Sequence, residues 1–334
     1  MTNAEPPLRW GIAGPGRIAG KVAADFPVAD GARLLAVGSR SRKRAQGFAD
    51  QHGAERAYGS YRELLDDPDV DVVYIATPHP QHRDIAVAAL HAGKAVLVEK
   101  AFTVSASGTE EVIRAARDTG RFAMEAMWTR FQPVLVRMRT LLDDGVIGEI
   151  RAVEVDLGVV RERDPADRLF APELGGGALL DLGVYVVSFA QWLLGSPERV
   201  VTTGRLGPTG VEEDASLLLA YPAGVVALLT TSLNSAMPGS ARVLGRRGWI
   251  DVLPRFHHPS RIVLHRDGHE PEEITAVATG GGYAHELDEV TRCVRAGLTE
   301  SPVMPLADTL AVAQVLDEAG RALGVTWNEA TGVV

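Results

Sequence analysis

Cysteine is almost missing: Cys293 is the single example in 334 residues. That excludes a disulfide within the chain and any cysteine-based zinc site, and it fits a reducing compartment. Its neighbours Glu289 to Val294 read as a helix, which makes the thiol a small buried hydrophobe rather than a nucleophile. Positive charge is in deficit. Lys and Arg number 34 against 43 Asp and Glu, a formal charge of −9, which argues against a protein that neutralises nucleic-acid backbones or anionic lipid. No basic segment followed by an apolar run opens the chain, so no signal peptide is expected. Nor does any apolar stretch read as approaching the ~20 residues that span a bilayer. Internal repeats are absent, low complexity is confined to Gly280–Gly282, and disorder is expected only for Met1–Pro7 and the last few residues. What remains is a composition of 46% hydrophobic and 23% charged residues, long enough for two domains. The expectation is a cytoplasmic globular protein.

The pattern changes near the middle. From Leu8 to about Met127, short apolar runs (Leu8–Ala13, Arg33–Ser39, Val70–Ala76, Ala95–Glu99, Phe122–Glu125) alternate with amphipathic stretches (Ile18–Phe26, Arg42–Gln51, Ser60–Asp66, His82–Ala92, Val104–Thr119). Strands this apolar belong in a sheet covered on both faces, and the alternation implies parallel order: a doubly wound α/β domain over residues 1–127. Residues 128–334 form the second expected domain. There a helix (Pro133 to about Asp143) precedes long alternating strands, Glu149–Val160, Arg199–Leu206, Ala215–Tyr221, Val225–Ser232 and Arg242–Gly245. Helices are expected at Gly176–Leu194, His285–Ala296 and Leu306–Leu323. Long strands joined by short turns such as Tyr221-Pro-Ala-Gly224 suggest an antiparallel or mixed sheet, hence an α+β domain.

The run Leu8-Arg-Trp-Gly-Ile-Ala-Gly14-Pro-Gly16-Arg17-Ile18-Ala19 has the G-x-G-x-x-G/A spacing of a dinucleotide turn. Gly14 allows the strand-to-helix turn, Gly16 lets backbone approach a pyrophosphate, and Ala19 keeps helix and strand close. The amides of Arg17 and Ile18 open the helix, where the dipole favours phosphate. A carboxylate at the end of the second strand would bind the ribose 2′-OH of NAD. This chain instead has Ser39, Arg40, Arg42, Lys43 and Arg44. A hydroxyl with guanidinium groups suits the 2′-phosphate of NADP.

Hydride chemistry needs a proton acid/base. Ala95–Glu99 ends in Glu99 and Lys100 at the carboxyl end of a parallel strand, where ligands sit; a surface ion pair is the alternative. In Gly175-Gly-Gly-Ala-Leu-Leu-Asp181-Leu-Gly-Val-Tyr185, Asp181 and Tyr185 share a helix face. A nearby ammonium would favour the Tyr185 phenolate, though spacing alone favours a core tyrosine. Thr77 and Pro78 are expected to line the cofactor crevice, with His79 and His82 facing the cofactor or capping a helix. Two histidines lack the further ligands a metal requires, so no metal is expected. Trp128 and Phe131 are candidates to wall the substrate site or to pack in the core. His257 and His258 read as structural or solvent-facing, and Arg168 and Tyr283 are weaker candidates for the pocket.

Together Ala13–Ala19, Glu99-Lys100 and Gly175–Tyr185 resemble the glucose–fructose oxidoreductase / inositol dehydrogenase (Gfo/Idh/MocA) family. Ala57–Tyr61, Thr77–His82, Met124–Phe131 and Ser301–Pro305 are similar to the branch of dimeric trans-dihydrodiol dehydrogenases that also act as NADP-dependent D-xylose dehydrogenases. The resemblance implies a Rossmann domain, then a domain with an open, mostly antiparallel sheet whose outer face joins subunits into a homo-dimer or homo-tetramer. It implies Lys100 beside nicotinamide and the reacting oxygen, Tyr185 as acid/base, Asp181 on substrate hydroxyls, and Arg40 and Arg44 on the 2′-phosphate. The expected activity is hydride transfer between NADP and a carbinol, hemiacetal or carbonyl carbon of a sugar, polyol or cyclic diol. Reduction of keto-sugars, anhydro-sugars or imines, and non-catalytic NADP sensing, are the alternatives. One departure stands out: Ala101 replaces the family proline after the lysine, which loosens the turn that presents Lys100.

Overall fold

The computed structural model describes residues 5–334. Met1–Ala4, part of the expected disordered tail, lie outside the described residues. The chain forms two compact units, one of residues 1–127, 279–306 and 329–334, the other of residues 128–278 and 307–328. Residues 279–306 and 329–334, counted with the second domain in the sequence reading, thus pack with the first.

The first unit is a doubly wound sheet. Its strands are β1 (Leu8–Ala13), β2 (Ala32–Gly38), β3 (Arg56–Tyr58), β4 (Val72–Ile75), β5 (Ala95–Glu99) and β6 (Ala123–Ala126), in spatial order β3-β2-β1-β4-β5-β6. All neighbours are parallel. Helices α1 (Arg17–Ala23), α2 (Arg42–His52), α3 (Tyr61–Leu65), α4 (His82–His91) and α5 (Ala106–Thr119) connect them. Burial explains the apolar strands: Trp10, Ile12, Val72 to Ile75 and Val96 to Val98 are fully enclosed. β3 escapes sequence reading because it is three residues long and half polar. α1 stops at Ala23 rather than Phe26, since Pro27 disfavours helical backbone before it and Phe26–Val28 closes as a 3₁₀ turn.

In the second unit, α6 (Pro133–Asp143) leads to β7 (Ile150–Gly158) and α7 (Val184–Leu194), then β8 (Arg199–Leu206), β9 (Glu212–Ala220), β10 (Val226–Ser232), β11 (Ala241–Gly245), β12 (Gly248–Val252), β13 (Arg261–Arg266) and β14 (Glu272–Thr275). The sheet order is β14-β13-β12-β11-β7-β10-β9-β8, antiparallel except for the β7–β10 pair. One cross-strand row, Leu217, Leu229, Val155, Ala241, Val252 and Ile262, is buried, and α7 packs on β10 and β7. The opposite face carries Val201, Leu218 and Leu228 in another row, with Leu228 46% exposed. Contrary to the sequence reading, Pro172–Leu194 is by length and composition apolar enough to cross a bilayer. Of its most apolar window, 72% is buried within the protein, as in a core helix.

The last helices are α8 (Ala284–Arg295), in the first unit, and α9 (Leu306–Leu323), nearly all in the second. Asp25 fixes α8: its carboxylate accepts from the amides of Gly281, Tyr283 and Ala284 at 2.7–3.1 Å. Residues 329–334 join the first unit through Ala330 N–H to Pro80 O and Val333 N–H to Asp84. Cys293 is buried against Glu289, and burial pushes its thiol up to about 12, which suits a packing role.

Candidate active site

In the first unit the glycine turn has the geometry its spacing implies. Gly14 holds φ +95° and donates to Gly38 O; a Cβ there would lie 2.8 Å from Thr77. Gly16 differs: a Cβ on it would meet only Ala76 O, at 4.0 Å. Protein packing therefore does not demand glycine at 16, and open backbone there fits close approach by a pyrophosphate. Serines cap α2, α3 and α5 (Ser41, Ser60, Ser105), whereas no side chain caps α1. A helix start without a side-chain cap suits an anion at its first amides, those of Arg17 and Ile18.

Ser39 follows β2, buried, with its hydroxyl accepting from Ser41 N–H. Arg40 and Arg44 both bear on the Tyr61 phenol, whose pKa burial raises and the two guanidinium groups pull back. Guanidinium groups together with a hydroxyl are donors of the kind that suits a 2′-phosphate.

Thr77, Pro78 and His79 follow β4. Thr77 is buried and its hydroxyl has no hydrogen-bond partner among the described residues. His82, expected to face the cofactor or cap a helix, is fully enclosed instead, with its two ring nitrogens at 2.8 Å from Thr77 O and 2.9 Å from Ala101 O. It is a clamp between loops, because a completely buried imidazole needs both nitrogens matched within the protein. His79 Nε2 lies 3.2 Å from Lys100 O. Glu125 accepts from Phe102 N–H. Three side chains therefore hold the Lys100–Phe102 turn. The Lys100–Ala101 peptide is cis.

Glu99 does not lie at the surface, where the alternative reading put it. It is buried, takes the Tyr74 hydroxyl at 2.5 Å on one oxygen and Lys100 N–H on the other. Tyr74, Glu125 and Glu286 on α8 are residues the sequence reading missed. Burial and the charges of Glu99 and Asp25 raise the Glu286 carboxyl well above its usual range. The missed signal was a polar residue inside an otherwise apolar strand.

In the second unit, Asp181 lies in a π-turn, Leu179–Gly183, that runs into α7 two residues before Tyr185. The four-residue spacing thus crosses a junction between two helix types, and simple α-helical face arithmetic does not apply. Asp181 Oδ1 accepts from Arg168 Nη2 at 2.7 Å, so the weaker candidate Arg168 joins the site. The Tyr185 ring lies 5.0 Å from the His257 ring. His257 and His258 flank Trp128 at 6.2 and 5.1 Å, and Thr129 donates to His257 O. The two histidines, read as structural or solvent-facing, are therefore part of the aromatic wall around Tyr185. Trp128 belongs to that wall, and Phe131 is buried on the same 3₁₀ turn. Among the described residues no group of three or more His, Cys, Asp or Glu is placed to hold a metal.

A parallel sheet with an open glycine turn, and a second unit that carries a phenol and a carboxylate on the helical segment packed against its sheet, are features of a nucleotide-dependent oxidoreductase. Two family models match, "Oxidoreductase family, NAD-binding Rossmann fold" over residues 8–127 and "GFO/IDH/MocA C-terminal domain" over residues 135–251. The chain belongs to the Gfo/Idh/MocA family. It is 38% identical over 330 residues to trans-1,2-dihydrobenzene-1,2-diol dehydrogenase of Mus musculus, covering 96% of this chain and 98% of that protein. The Xenopus tropicalis protein of the same name is 37% identical, covering 96% and 99%. Among solved structures it is similar to KijD10, a 3-ketoreductase from Actinomadura kijaniata in complex with NADP and TDP-benzene (TM-score 0.85, 28% identity, 95% and 98% covered). It is also similar to an aldose-aldose oxidoreductase from Caulobacter crescentus complexed with glycerol (TM-score 0.86, 26% identity, 95% and 98% covered).

Proposed function

We propose that this protein is an NADP-dependent oxidoreductase transferring a hydride between nicotinamide and a secondary alcohol, hemiacetal or carbonyl carbon of a sugar or cyclic diol. The observation that carries the reading is the second unit's donor set: a phenol among aromatic rings, with an arginine-held carboxylate on the adjoining turn. Such a set matches a substrate bearing neighbouring hydroxyls and a ring C–H face. Bound NADP supplies the hydride acceptor. The chain supplies the rest. Tyr185 takes the carbinol proton, and the Lys100 ammonium favours its phenolate and polarises the substrate oxygen. Asp181, oriented by Arg168, accepts from a neighbouring hydroxyl. Running these roles backwards gives carbonyl reduction. The preference for NADP rests on Ser39, Arg40 and Arg44, and on the absence of a carboxylate at the end of β2. The test is turnover with dihydrodiols and aldoses, in both directions, with each cofactor. In the Tyr185→Phe variant turnover is expected to fall by about 10²–10⁴-fold with NADPH affinity unchanged; wild-type turnover in that variant would refute the role of Tyr185.

A keto-sugar reductase is the second reading, favoured by the similarity to a 3-ketoreductase. A faster rate with keto-sugars than with any diol or aldose would select it. The exposed Val201–Leu218–Leu228 row supports pairing with a second copy of the chain. A Leu228→Glu variant running as a monomer in sedimentation, where the wild type does not, would support that interface.

A further inference from the structure

The segment bearing Asp181 and Tyr185 is anchored by a carboxylate from a distant part of the chain. Glu212, first residue of β9, is fully buried. Its Oε1 accepts the Leu179 N–H at 2.8 Å, where the π-turn begins. Its Oε2 has no hydrogen-bond partner among the described residues. Gly177, at φ +116°, makes room for the same headgroup: a Cβ there would lie 2.1 Å from Oε1 and 2.5 Å from Oε2. Gly176 is as tightly enclosed, its Cβ position 2.8 Å from the carbonyl oxygens of Arg168 and Leu169. The glycine turn is therefore built around the Glu212 carboxylate. The charged groups on the elements packed against it are engaged with one another. Arg168 pairs with Asp181, Glu213 with Arg163 and Arg205, and Asp214 with Arg205 of β8, while β10 carries none.

An ionised carboxylate held out of water without a cationic partner is costly, and glutamine would fill the same space for less. Its return must lie elsewhere. We propose that Glu212 is a positioning residue for the acid/base: its carboxylate fixes the first turn of the segment and thereby the placement of Asp181 and Tyr185. This rests on the role given above to Tyr185. The ionised form is the stronger acceptor for Leu179 N–H and the better partner for a helix N-terminus. Burial pushes the carboxyl up to about 7, and the N–H groups of Leu179 and of Glu212 itself offset only part of that rise. Protonation therefore loosens the segment near neutral pH. The sign for stability is opposite. A folded-state pKa above the unfolded value favours the neutral acid, so this contribution is full below about 4.5 and lost as pH rises through about 7.

The test is Glu212→Gln in the full-length protein at about pH 8, read in three ways. Amide exchange of the peptide spanning residues 177–185, measured without substrate or cofactor, is expected to accelerate about fivefold or more. kcat is expected to fall about tenfold with the KM for NADPH within about twofold, and the loss of activity below about pH 7 to disappear. The thermal midpoint is expected to equal or exceed that of the wild type, because a buried charge has been removed. Glu212→Asp, which keeps the charge, is expected to recover part of the kcat. Exchange within about twofold of the wild type, with the acid limb retained, overturns the proposal. So does a lowered midpoint with exchange raised throughout the unit, which marks a merely structural role. Tyr185→Phe is assayed in parallel: if it keeps its turnover, the reading of Tyr185 falls, while the exchange experiment still decides whether Glu212 holds the turn.

Discussion

An unperturbed tyrosine, with a pKa near ~10, is a weak base at neutral pH, so the account needs help from its neighbours. Asp181 and Arg168 form an ion pair within the second unit that aims the carboxylate. Removing the guanidinium in Arg168→Ala should lower kcat/KM for a polyol about tenfold and leave NADPH affinity unchanged, as steady-state kinetics and fluorescence titration with the tryptophans as reporters would show. Arg40 and Arg44 make a second prediction. Each guanidinium on a 2′-phosphate contributes ~1.5–3 kcal/mol, so Arg40→Ala or Arg44→Ala should weaken NADPH binding by about tenfold to a hundredfold. NADH, which lacks that phosphate, should bind as before; an equal loss for both cofactors would contradict the assignment.

At the scale of elements, the first unit is assembled from parts distant in sequence. Asp25 accepts three amides at the start of α8, and Gly280 approaches so closely that a Cβ would lie 2.5 Å from its carboxylate. Losing a multiply bonded cap costs about 2 kcal/mol or more, so Asp25→Ala should lower the urea midpoint without changing the slope. An unchanged midpoint would mean α8 is held by its apolar face alone. The same distance effect explains what the sequence displayed and what it hid. The apolar runs of β1, β4 and β5 declare themselves, because a strand covered on both faces has no polar positions. β12 to β14 did not: Trp249 and Asp251 alternate with the buried Ile250 and Val252, Arg261 and His265 alternate with the buried Ile262 and Leu264, and the edge strand β14 exposes Glu272 and Glu273, so polar and charged residues there read as loop. Among the proposed site residues, the glycine turn could be read from local spacing, and Lys100, Asp181 and Tyr185 from the resemblance of the motifs that carry them. His257 against Tyr185 and Glu212 beneath Leu179 were not, since their partners lie far along the chain and no local periodicity links them.

Across the whole molecule, several carboxyls are buried against their charge. Burial pushes Glu329 up to about 7, with the Ser105 hydroxyl offsetting part, as it does Glu212, and it holds Glu286 well above the ordinary range. Each raised value favours the neutral acid in the folded state, so the associated stability is complete below about 4.5 and lost as pH rises through about 7. Urea unfolding should accordingly give a free energy lower by a few kcal/mol at most at about pH 8.5 than at about pH 6. Glu329→Gln should remove part of that slope. Stability that rises over this window would contradict the burial of these acids.

The central claim is that hydride leaves a carbinol carbon for nicotinamide with Tyr185 handling the proton. It is tested most directly with a diol or aldose deuterated at the reacting carbon, incubated with NADP and the wild-type or Tyr185→Phe protein, and the label located by mass spectrometry. The account predicts deuterium on the reduced cofactor with the wild type and almost none with the variant, although both bind NADPH. Label transferred at the wild-type rate by the variant, or no label in the cofactor with any such substrate, would contradict it.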